Sequence, residues 1–140
     1  MRNIFVFIIM TLAFVSCYKE LANNSSHFFF FLNDGNLELI DGETFDYNAE
    51  EGVMTLKIVA PESLRIGFRE EYDWITISSR EICPPEECME YDLEEHQFLH
   101  SISFQIMENK FIKRRKAKLA LGVNHGIPGR AEFTIRQAGR

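Results

Sequence analysis

Apolar and polar residues alternate one by one along most of this chain, and that period decides what it can fold into. Met54, Leu56 and Ile58 are interleaved with Thr55 and Lys57, and Ile102, Phe104 and Ile106 with Ser103 and Gln105. Ala117, Leu119, Leu121 and Val123 follow the same rule, as do Phe133 and Ile135. Successive side chains of an extended strand point to opposite faces, so each run offers one face to a core and the other to water. Leu64, Ile66 and Phe68, the segment from Trp74 to Ile77, and the run from Phe28 to Leu32 supply further strands. Turn residues punctuate them at Asn33-Asp34-Gly35-Asn36 and at Asn124-His125-Gly126-Ile127-Pro128-Gly129. Between Cys88 and Leu99 there is room for a helical turn or two, and no long stretch has helical period. Seven or eight short strands without long helices predict an all-β sandwich.

The first sixteen residues break this pattern. Met1-Arg2-Asn3 carries one positive charge, and Ile4 to Val15 is almost unbroken in apolar residues. Twelve helical residues span about 18 Å, short of the roughly 20 residues that a bilayer core requires. Residues 1–16 therefore read as a signal peptide. Phe14-Val15-Ser16-Cys17 resembles the lipobox of bacterial lipoproteins, which implies acylation of Cys17 and a membrane contact through that anchor. Phe14 stands where Leu is commoner. The polar residues 17–27 then form a linker, and residues 28–140 a single domain. Without Arg2 the formal net charge of −6 becomes −7, which argues against a nucleic-acid partner.

From about Leu37 to Arg140 the chain resembles the BACON domain, an immunoglobulin-like sandwich of secreted Bacteroidetes proteins. Four segments carry the likeness: Phe45 to Ile58, Asp73 to Ile77, Phe104 to Leu121, and the closing Phe133 to Gly139 (FTIRQAG). Their order and spacing make the match. It departs between Arg80 and Ser101, where about twenty residues replace a short loop. The resemblance implies an immunoglobulin-like β-sandwich in a cell-envelope protein, here an outer-membrane lipoprotein facing the periplasm or the cell surface. It also implies association with glycan handling, and many members of the family serve as spacers.

Cys83 and Cys88 flank Pro84 and Pro85 in that insertion. In an oxidising compartment the pair favours a disulfide, over reduced thiols and over a metal site completed by His96 and His100. Glu81, Glu86, Glu87, Glu90, Asp92, Glu94 and Glu95 crowd fifteen residues with no Lys or Arg among them, which reads as a solvated acidic loop. A glycosidase needs two carboxylates facing each other across a cleft, and one loop does not provide that. Lys110, Lys113, Arg114, Arg115, Lys116 and Lys118 form the opposite run, which reads as an edge strand kept soluble by its charges.

Trp74 sits among Ile75 and Ile77 and belongs to the core. Tyr72, Tyr91 and Phe98, in or beside the insertion, are the candidate sugar platforms. No catalytic triad, phosphate loop or metal triad stands out, so no enzyme, metal or cofactor is expected. The chain reads as a non-catalytic envelope lipoprotein. Its expected role is carbohydrate binding in glycan acquisition; the alternative is a structural or protein-interaction module that contacts another envelope protein. A row of exposed aromatics would separate the two readings.

Overall fold

The computed structural model describes residues 29–88, 91, 93–123 and 130–140. The expected signal peptide, Cys17, the linker and the turn at 124–129 lie outside them. Nine strands are present among the described residues: β1 Phe30–Asn33, β2 Asn36–Leu39, β3 Thr44–Tyr47, β4 Gly52–Ala60, β5 Leu64–Phe68, β6 Ile75–Ile82, β7 Phe98–Ile106, β8 Arg115–Val123 and β9 Arg130–Gln137. One helical turn, α1 Pro85–Cys88, lies between β6 and β7. It comes earlier than expected because Pro85 suits a first helical position, where its fixed φ helps and no N–H is missed.

The strands form a five-stranded sheet, β2-β1-β4-β7-β6, and a four-stranded sheet, β3-β9-β8-β5. Within them β1-β4-β7-β6 and β5-β8-β9 reproduce the ABED and CFG orders of an immunoglobulin sandwich. The expected all-β, immunoglobulin-like fold is therefore present. β3 joins the second sheet parallel to β9, with Thr44 opposite Thr134. The strand beyond the expected seven or eight comes from the β1–β2 hairpin. Its two-residue turn places Asp34 at φ 51° and Gly35 at φ 83°, the pair of positive angles that a type I′ turn requires and that Asp-Gly provides at low cost.

Every alternating run places its apolar residues inward. Leu56, Ile58, Ile102, Phe104, Ile106, Leu119, Leu121, Phe133 and Ile135 are all buried in one core. Each contributes about 1.5–3 kcal/mol relative to exposure. Phe45 joins the layers, its ring edge-on to Phe31 at 5.0 Å and to Phe133 at 5.6 Å.

The insertion is more than a solvated loop. Val59 and Leu99 point outward from the five-stranded sheet, yet both are fully buried. Cys83, Cys88, Tyr91 and Leu93 pack over them with Phe30 and Leu32. The insertion thus folds back as a cover for an apolar patch, with Glu81, Glu86, Glu94 and Glu95 exposed on its outside.

The cysteines correct an expectation. No disulfide joins Cys83 and Cys88. Cys83 is buried against Val59 and Leu99, and Cys88 Sγ is directed at the carbonyl oxygen of Cys83, 3.9 Å away. The metal alternative is divided by the sheet. Cys83 lies on its outer side, whereas buried His100 alternates inward and its Nε2 donates to the Pro61 carbonyl at 3.0 Å.

Candidate interaction surface

Phe29, the first described residue, lies beside the end of β4, since Phe30 pairs with Val59. β7 pairs antiparallel with β4 and runs from that end to the opposite one, where Ile106 faces Gly52. At about 3.3 Å per residue the nine residues of β7 cover roughly 26 Å. The β7–β8 loop, 107–114, therefore emerges at the pole remote from Phe29.

That loop is locked from below. Asn109 is completely buried. Its backbone N–H donates to Ala49 O at 2.7 Å. Its Nδ2 donates to the carbonyls of Lys113 at 2.9 Å and Ala138 at 3.0 Å, and its Oδ1 accepts from the Phe111 N–H. Arg140 N–H donates to Phe111 O. Gly139 lies against the Ile112 carbonyl so closely that a Cβ would collide with it.

Gln137 and Arg115 hold the base of the loop. Gln137 is fully buried; its Oε1 accepts from Arg115 Nε at 2.8 Å and its Nε2 donates to Met107 O at 2.8 Å. Arg115 Nη2 donates to the carbonyls of Met107 and Glu108, and its guanidinium lies 4.6 Å from the centre of the Trp74 ring. Burial lowers the Arg115 pKa below its ordinary value, with the charge of Asp73 opposing that shift. Trp74, Arg115, Gln137 and Gly139, which lie in three of the four segments quoted for the family likeness, thus do one structural job at this pole.

What the lock presents is apolar. Phe111 is 71% exposed and Ile112 88% exposed, with Lys110, Lys113 and Arg114 exposed on either side. Sequence reasoning counted the cations and passed over the two residues between them. The signal was there: Phe111-Ile112 breaks the alternation that Phe104 and Ile106 keep, so neither is placed by a strand.

The structure does not bring the candidate platforms together. Tyr72 is half-buried between the sheets, its ring edge-on to Phe68 at 5.9 Å and Trp74 at 6.0 Å, and its hydroxyl accepts the Lys118 N–H at 3.1 Å. Tyr91 is half-buried in the cover over Val59. Phe98 is half-buried at the start of β7, opposite Ala60. Phe111 is the one strongly exposed aromatic among the described residues. The cationic run is also divided: Arg115 turns inward, and Lys116 and Lys118 face solvent on β8. β8 is an interior strand of its sheet, not the edge strand expected.

No protein-family model matches the chain. No curated protein matches it. Among solved structures it is similar to a Bacteroides ovatus GH5 xyloglucanase in complex with a XXXG heptasaccharide, at 11% identity and a TM-score of 0.46. The match covers 80% of this chain and 19% of the xyloglucanase chain. A likeness at that level carries no argument about activity.

Proposed function

We propose that this chain is a non-catalytic interaction module of the cell envelope, held to a membrane through acylated Cys17 and contacting another envelope protein through its β7–β8 loop. The observation that supports this reading is the Phe111-Ile112 pair, exposed at 71% and 88% on a loop whose backbone is locked by Asn109. Large apolar side chains that stand in water on a preorganised loop are suited to filling a partner's pocket, because little conformational freedom is left to lose on binding. The placement of the loop fits the tether. If the anchor precedes Phe29, the loop is carried about 26 Å from that residue. The cations around it favour a pocket rimmed by carboxylates.

The lipobox-like segment and the BACON resemblance support the envelope location, and the resemblance also allows a spacer role. The carbohydrate reading would need a surface other than Tyr72, Tyr91 and Phe98, since those side chains are engaged in packing.

The test is photo-crosslinking in intact envelopes. A photoreactive residue at position 112 should give a discrete protein adduct that is absent when the same residue replaces Lys57. A glycan array probed with the full chain in neutral detergent supplies the opposing outcome. Polysaccharide signals together with no adduct at position 112 would transfer the assignment to carbohydrate binding.

A further inference from the structure

The two outer faces of the sandwich carry opposite charge. On the four-stranded sheet Arg65, Lys116, Lys118 and Arg130 alternate outward, and among the described residues none has a carboxylate within ion-pair distance. Arg69 and Arg136 on the same side are already engaged, by Glu132 and Asp46. The register sets Arg65, Gly122 and Arg130 in one row across three strands, and Gly67, Ala120 and Glu132 in the next. Small residues at the centre leave an open depression of about 700 Å³, with Arg65, Arg69 and Arg130 around it beside Asp41 and Glu132; Glu132 pairs with Arg69, so Arg65 and Arg130 carry its uncompensated charge.

The other face is its electrical complement. The insertion covering the five-stranded sheet exposes Glu81, Glu86, Glu94 and Glu95, and among the described residues none has a cation within ion-pair distance. Lys57 is the one Lys or Arg among the described residues that alternates outward from that sheet. The two sets do not meet within one molecule. Glu81 is fixed in the β6–β7 ladder and Arg65 in the β5–β8 ladder, in opposite layers of the sandwich. Both sets stand exposed, open to a partner of opposite charge.

We infer that the basic depression of one molecule receives the acidic insertion of a second copy, so that the sandwiches stack back to front. This contact uses a surface different from the Phe111-Ile112 loop and stands independently of it. It is heterologous, with unlike patches meeting, so it can propagate instead of closing as a two-fold dimer. Exposed ion pairs attract weakly and are screened by salt, which makes the association shallow in solution. Molecules tethered to one surface meet at a higher effective concentration, and there the same contact is favoured.

Sedimentation velocity on the full chain in neutral detergent tests this. Oligomers that grow with concentration are expected at about 0.05 M salt, with association weakened roughly tenfold or more at about 0.5 M. The double variants Arg65→Glu with Arg130→Glu, and Glu94→Lys with Glu95→Lys, should each be monomeric. The first makes the rim of the depression acidic, against an unaltered acidic insertion, and the second sets two Lys in the insertion against an unaltered basic rim, so mixing them should restore association. That rescue separates the contact from any failure to fold. A wild-type chain monomeric at low salt would overturn the inference, as would association that survives either double variant or a mixture that stays monomeric. Loss of association on Phe111→Ser with Ile112→Ser, while the charge variants still associate, would overturn it in favour of the loop.

Discussion

Single residues at the remote pole do work that is out of proportion to their size. Asn109 offers one amide to three backbone groups in a fully buried position. Replacing it with Ala leaves the carbonyls of Lys113 and Ala138 and the Phe111 N–H without that partner. A loss of about 2–4 kcal/mol in denaturant unfolding is expected, where an exposed Asn→Ala change would register almost nothing. Gly139→Ala should cost about 1–3 kcal/mol by pushing the closing segment away from the Ile112 carbonyl.

His100 makes a different residue-scale prediction. Burial lowers its pKa below the ordinary 6.5, outweighing the hydrogen bond to Pro61 that favours the charged form. The folded chain therefore binds this proton less readily than the unfolded chain. The associated stability is complete above pH 6.5 and is lost as pH falls from there toward the folded value. Thermal melts from pH 7.5 to 5 should show that decline in the wild type. In His100→Gln, which keeps a donor for Pro61 O but does not titrate, the decline over this range should be smaller; equal slopes would remove His100 as its source.

Among the elements, the legible ones were those with a single job. β4, β7, β8 and β9 each bury one face, so period-two alternation located them and identified their inward residues. The insertion was harder to read because its cysteines, Tyr91 and Leu93 are spaced irregularly among acids. Nothing local marks them as a cover for Val59 and Leu99, whose outward positions look exposed until the register is known. The same gap explains the expectation of a disulfide: sequence separation said that Cys83 and Cys88 could meet, while packing directed Cys83 at the sheet. The cover has a measurable consequence. Leu99→Ala should cost about 2–5 kcal/mol, the range for a core leucine, although Leu99 lies on what would be the solvent face of an uncovered sandwich. A cost below about 1 kcal/mol would mean that the insertion does not seal the patch.

For the whole molecule, what the sequence hid was the difference between residues that build the domain and residues that it displays. Trp74, Arg115, Gln137 and Gly139 lie in the segments that carry the family likeness, and they sit beneath a loop. Phe111 and Ile112 lie in one of those segments but follow no alternation, and they stand on top of it. Stability measurements can separate the two classes. Side chains that are mostly in water contribute little to folding, so Phe111→Ser with Ile112→Ser should change unfolding free energy by no more than about 0.5 kcal/mol. The same double variant should abolish any protein adduct formed at this pole, read from a photoreactive residue at Lys110. A residue pair that is neutral for folding and required for contact is what a binding surface predicts. If the variant instead destabilises the domain by about 2 kcal/mol or more, Phe111 and Ile112 are structural in solution, and the β7–β8 loop is part of the lock and not what the lock presents.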